Sequence, residues 1–143
     1  MRKDGQQAMG ELWLRLIAEE NENATEEQIG YWRQRPERAP LLLVVTCCHN
    51  SEKMGKVPLI EQKMSVGAAC HNILNGALAI GYAAQWLTEW SCYHDKIKEQ
   101  LDHAPDVKIL GLIYIGIADE PSKERKRTSP EDVISEWPGQ AMQ

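Results

Sequence analysis

The stretch from Val57 to Thr88, VPLIEQKMSVGAACHNILNGALAIGYAAQWLT, constrains the fold more than any other part of the chain. Pro58 suits a first helical turn, where its missing N–H costs nothing, and Gly81 suits the left-handed residue that closes a helix. The helix between them is about 35 Å long at 1.5 Å per residue, enough to cross a small domain. Leu59, Ile60, Met64, Val66, Ile73, Leu78 and Ile80 fall on most sides of its cylinder, so the helix is expected to be covered all round. A short buried strand, residues 82–87, follows directly.

With 143 residues the chain amounts to one domain, 1–143, with room for a real core. Its 16 Lys and Arg against 21 Asp and Glu give a formal net charge of −5 and no broad basic surface for nucleic acid. Glu61, Lys63, His71 and Asn72 interrupt the central helix too often for a membrane span, and no N-terminal apolar run has signal-peptide form. A soluble, cytoplasmic protein is expected. Cys47, Cys48, Cys70 and Cys92 fall within expected regular elements, without the spacing of a disulfide scaffold, so reduced thiols are expected.

Around the central stretch the chain alternates helices and strands. Residues 1–6 are polar and read as frayed, after which Ala8, Met9, Leu12, Trp13, Leu16 and Ile17 recur at helical spacing. Thr25 and Gln28 form a capping box for a second short helix that Pro36 stops, a charged arm at the surface. LLLVVTC, residues 41–47, reads as a strand buried on both faces, and residues 49–56 as a polar loop. Thr88 or Ser91 is placed to cap a helix carrying Trp90, Tyr93, Ile97 and Leu101. VKILGLIYIGIA, residues 107–118, is a third apolar strand, with Gly111 and Gly116 where neighbouring backbone approaches closely. Three buried strands alternating with helices indicate an α/β layer fold. The tail, 119–143, opens with a charged loop, and DVISEW, residues 132–137, alternates like a half-exposed strand in need of a partner.

Several groups invite chemistry. Cys47-Cys48-His49, Cys70-His71 and Cys92 with His94 suggest zinc, but they lack the usual ligand spacings, and adjacent strand residues face opposite ways. Packed thiols with surface or core histidines explain them better, and no metal site is assigned. Glu61 sits where it complements a helix dipole. Lys123, Arg125, Lys126 and Arg127 are the only concentrated positive charge. They are either a solvated loop or a phosphate grip of charge-assisted hydrogen bonds. There is no glycine-rich phosphate loop and no G-x-G-x-x-G.

Taken in order, RAPLLLVV (38–45), KVPLIEQKMSVGAACHNILNGALAIGYAAQWLT (56–88), KILGLIYIG (108–116), ERKR and DVISEW resemble the nitroreductase family. The likeness is to its small single-domain branch, whose members read approximately VPEWEQ, SAGAA, NLLLAA, LGFGA, W-x-T-G and GFLYLGTP. The resemblance implies an α/β fold with a central sheet flanked by helices and a long buried central helix at a dimer interface. It implies FMN bound between the subunits of a homodimer, and electrons passed from NAD(P)H to a small-molecule acceptor, nitroaromatic or quinone-like. Trp86, Leu87 and Thr88 map onto the residues against the flavin ring, mainly through backbone, and Arg125 and Arg127 onto those holding its phosphate. No catalytic side chain is implied, because the isoalloxazine carries the hydride. Members also begin with an Arg-Arg-Ser type segment that grips the phosphate; nothing before Met9 supplies one, so the chain is expected to be N-terminally short. Less cover for the central helix implies an obligate dimer, with the strand around Val133 to Trp137 exchanged between subunits. Where the family carries glycine after W-x-T, this chain has Glu89, expected to set a negative charge beside the flavin. The alternative reading is a dimeric binding module on the same fold, without flavin.

Overall fold

The computed structural model describes residues 1–48, 56–120 and 123–137. Of the loop expected at 49–56, only Lys56 lies within them.

Helix α1, Lys3–Glu20, begins earlier than its apolar spacing predicts. The residues ahead of that spacing are anchored, not frayed. The Met1 ammonium donates to the Leu42 carbonyl at 2.7 Å, and the Leu42 N–H donates back to the Met1 carbonyl at 3.1 Å. The buried Gln6 carboxamide donates to the carbonyls of Pro36 and Ala39 at 2.8 and 2.7 Å, which makes burial of a polar residue there tolerable. Helix α2, Glu26–Gln34, opens with the expected Thr25–Gln28 capping box and runs into a 3-10 turn, Arg35–Glu37, that holds Pro36.

Strands β1 (Leu41–Cys47), β2 (Ala83–Leu87) and β3 (Lys108–Gly116) form one sheet in the order β1-β3-β2. Both pairings are antiparallel, so β1 and β2 run parallel to each other with β3 inserted between them. The register sets Leu42, Tyr114 and Gln85 side by side, and likewise Leu43, Ile113 and Trp86. Successive strand residues face opposite sides. One face, with Leu42, Leu112 and Tyr114, packs on Met9, Leu12, Trp13 and Leu16 of α1. The other meets helix α3, Leu59–Ala79, the crossover from β1 to β2. Strand β1 is not buried on both faces as its composition predicts. Leu42 and Cys47 alone are fully buried, because β1 lies at the edge of the sheet.

Helix α3 ends as the sequence requires. Gly81 takes φ +87°, the Gly81 N–H donates to Leu78 O and the Tyr82 N–H to Ala77 O, the reciprocal pair of a Schellman cap. Its cover is a different matter. Cys70 and Ala77 are its only fully buried residues, while Ile60, Met64, Leu78 and Ile80 are 62, 67, 61 and 74 % exposed. The described residues of one chain cover α3 on one side.

After β2 a 3-10 turn, Trp90–Cys92, precedes helix α4, Asp95–Gln100. The cap of α4 is neither Thr88 nor Ser91 but His94, whose Nδ1 accepts from the Lys96 N–H at 3.2 Å. Trp90 instead joins Trp13 and Trp32 in an aromatic cluster with centroids 5.7 to 6.1 Å apart. In the tail, Pro130–Val133 is a single helical turn, α5, rather than the start of a strand. Pro at its start and Glu131 and Asp132 in its first turn favour the helix there. Ile134 to Trp137 pair with no described strand, and Val133, Ile134 and Trp137 are exposed.

Candidate functional site

Trp86, Leu87 and Thr88 close the β2 edge of the sheet. Trp86 is held by its side chain: the indole Nε1–H donates to the Leu110 carbonyl at 3.1 Å and the ring lies against Gly111, where a Cβ would overlap it. The same ring reaches α3, 3.9 Å from where a Gly67 Cβ would stand. Gly111 is therefore the close approach its position in the strand implies. Leu87 pairs with Leu112 and packs on the core, so both side chains are committed inward. Thr88, one residue past the ladder, is exposed. The step from Leu87 to Thr88 thus offers mainly backbone to a ligand, on a footing fixed by two half-buried side chains.

Glu89 stands next to this step, in extended backbone (φ −103°, ψ 172°) that any residue adopts. Its carboxylate turns away to Arg35. Arg35 Nε and Nη2 donate to Glu89 Oε1 at 2.8 and 2.5 Å, with side-chain exposures of 20 and 12 %. The negative charge expected beside the flavin is neutralised from the 3-10 turn after α2, a residue the sequence assigns only to a surface arm. Arg35 also lies over the Tyr31 ring at 5.2 Å. Burial pushes its guanidinium pKa down, but the hydrogen bond and charge of Glu89 outweigh that and hold it above the ordinary value. Nearby, Arg38 lies over the Tyr114 ring at 5.1 Å, while the Tyr114 hydroxyl and Glu89 Oε2 are buried without a hydrogen-bond partner. Burial, and secondarily the Glu89 charge, push the Tyr114 hydroxyl well above its usual pKa.

Arg125 and Arg127 are exposed, in irregular backbone, with no hydrogen bond or ion pair to any described residue. They follow β3, which ends at Gly116 opposite Ala83, the first residue of β2. Thr88 lies past the other end of β2. The tail therefore leaves the sheet at the end away from the Trp86–Thr88 wall, and no hydrogen bond or ion pair among the described residues links the two. A cavity of about 710 Å³ also lies at the Gly116 end, between the sheet and the C-terminal half of α3. Its walls are apolar, with Leu41, Ile73, Ala77 and Ile115, and Arg2 and Lys3 stand at its rim. Those two cations belong to residues read as frayed; their only signal in the sequence was their charge.

The cysteines do not gather. All four are unpaired, no metal-binding cluster of His, Cys, Asp or Glu occurs among the described residues, and His49 lies outside them. Burial raises the Cys70 and Cys92 thiols above their usual pKa, which keeps them protonated and poor nucleophiles.

In comparison with known proteins, the Nitroreductase family model matches residues 2–117. A solved nitroreductase-like family protein from Bacillus cereus superposes with a TM-score of 0.72 at 17 % identity, covering 96 % of this chain and 71 % of the other. A nitroreductase family protein from Streptococcus pneumoniae TIGR4 gives a TM-score of 0.49 at 17 % identity, over 86 % of this chain and 56 % of that one. No curated protein matches the chain in sequence. The first of these structures shares the fold, and the family model spans both helical layers and all three strands: the chain belongs to the nitroreductase family.

Proposed function

We propose that the chain is an FMN-dependent NAD(P)H oxidoreductase that works as a homodimer and reduces nitroaromatic or quinone-like acceptors. Family membership carries this reading, since nitroreductase family members generally bind flavin. The residues present suit the cofactor. Thr88 is exposed beside the anchored Trp86 and Leu87, and Arg125 and Arg127 are free of described partners. In this reading Trp86, Leu87 and Thr88 present a backbone wall to the ring. Arg125 and Arg127 hold the phosphate through charge-assisted, bidentate hydrogen bonds. Arg35 keeps the Glu89 charge off the ring. The flavin supplies the transfer of electrons from NAD(P)H to the acceptor; the chain supplies position and electrostatics.

A second copy supplies what one chain lacks. Ile60, Met64, Leu78 and Ile80 leave an exposed apolar surface on α3, and the tail cations emerge at the end of the sheet away from the wall. Packing α3 against its symmetry mate covers the first and lets the wall of one subunit meet the tail of the other. No described helix is long and apolar enough to cross a membrane, and the unpaired cysteines suit a reducing, cytoplasmic setting. The test is reconstitution: the purified chain mixed with FMN is expected to turn yellow and to bleach on anaerobic addition of NADH or NADPH. A chain that stays colourless after exposure to FMN contradicts the proposal and favours the flavin-free binding module.

A further inference from the structure

At the Thr88 end of the sheet, opposite the Gly116 end from which the tail leaves, three lysines from three elements line one small cavity of about 210 Å³, which Leu110, the acceptor of the Trp86 indole N–H, also lines. Lys63 comes from α3, Lys98 from α4 and Lys108 from the first position of β3; Tyr93 completes the rim, and Cys92 and Ile109 are buried beneath. Lys98 is 5 % exposed, a depth lysines rarely reach. Its ammonium bonds Asp95 Oδ1 at 2.5 Å and the Pro105 carbonyl at 3.3 Å, which uses two of its three N–H donors and leaves one. Lys63 and Lys108 make no ion pair with a described residue, so among the described residues the cavity gathers three positive charges and one paired carboxylate, that of Asp95. The charge of Lys108 also reaches that carboxylate, whose pKa is lowered chiefly by its hydrogen bond to Lys98. In a chain of net charge −5, a local excess of two positive charges is costly unless something occupies it.

The geometry points to an anion site here, for the dianionic phosphoryl group of a small phosphomonoester or of free phosphate. Two negative charges match the local excess. The cavity is smaller than the roughly 300–1,000 Å³ of pockets that enclose a whole ligand, so it fits a head group rather than a molecule. Tyr93 and the spare Lys98 donor add hydrogen bonds, and the buried floor lowers the local dielectric, which strengthens both.

The test titrates the full-length chain with inorganic phosphate and, separately, methyl phosphate, following the backbone amide signals of Tyr93, Lys98 and Lys108. Those signals report this cavity alone, so phosphate held by Arg125 and Arg127 is read separately, and neither arm depends on flavin. Saturable shifts are expected, and the tighter ligand identifies the source as ester or free phosphate. Lys63→Gln and Lys108→Gln are each expected to weaken binding about tenfold, as the loss of one charge-assisted hydrogen bond implies. Asp95→Asn, which frees Lys98, is expected to tighten it. The double variant Arg15→Gln, Arg33→Gln removes two positive charges elsewhere, more than either single lysine variant, and is expected to change nothing. Lys63 and Lys108 are not buried, so their variants are expected to keep the native circular dichroism spectrum. No saturation with either probe, or equal weakening in the Arg15, Arg33 control, overturns the assignment.

Discussion

Replacing Arg35 by Gln is the sharpest perturbation the fold allows next to the candidate site. Both bonds from Arg35 end on Glu89 Oε1, and Oε2 is already buried without a partner. Without the guanidinium, a carboxylate only 12 % exposed is left unpaired. Breaking a fully buried pair from one side costs about 3–5 kcal/mol, and the residual exposure of both groups reduces this to roughly 2–4 kcal/mol. Loss of the Arg35–Tyr31 contact adds up to about 1 kcal/mol. Glu89→Gly removes the buried charge itself and is expected to cost less. The double variant Arg35→Gln, Glu89→Gly is expected to be more stable than Arg35→Gln alone, because nothing is left to neutralise. Urea denaturation of the four proteins closes a double-mutant cycle with an expected coupling of about 2 kcal/mol. Additive effects, or an Arg35→Gln cost below about 0.5 kcal/mol, would refute the claim that Arg35 neutralises Glu89.

Other perturbations read other parts of the structure. Gly111→Ala drives a Cβ into the Trp86 indole and breaks its bond to Leu110; overpacking and the lost hydrogen bond together predict a loss of about 2–4 kcal/mol and a shifted tryptophan emission. Tyr114→Phe removes a buried hydroxyl with no partner and is expected to be neutral or slightly stabilising in thermal melts. Because the folded-state pKa of Tyr114 is raised, its contribution is full below the unfolded value of about 10 and is lost as pH rises above it, so the variant is expected to flatten the alkaline side of the stability profile. Met64→Glu is expected to leave the monomer fold intact and to weaken the proposed dimer by about 3–6 kcal/mol, since each dimer would carry the substitution twice, as light scattering across a dilution series would show.

Much of this fold is legible in the sequence, and what is not has identifiable causes. Pro58 and Gly81 bound α3 to within a residue, and Thr25 with Gln28 fixes the start of α2, because caps act through local backbone chemistry. The three strands stand out as apolar runs. Their antiparallel order with β3 in the middle does not, since pairing is settled by contacts distant in sequence. The N-terminal residues read as frayed because nothing local reveals that Gln6 finishes the hydrogen bonding of Pro36 and Ala39. At the candidate site, motif order is what singles out Trp86 to Thr88 as the proposed wall, and the close approach at Gly111 follows from its place in a strand. Arg35 was invisible as the partner of Glu89, being 54 positions away in a segment whose charges read as solvated. Residues 132–137 alternate like a strand, yet Pro130 and its acidic neighbours start a helical turn that overrides the first part of the pattern.

The most direct measurement is sedimentation velocity of the FMN-reconstituted chain, recorded at the flavin absorption band. Flavin is expected to sediment with a species of twice the 16.2 kDa chain mass, one flavin to each subunit. Flavin left behind in the supernatant, or a protein boundary at the mass of a single chain, would contradict it.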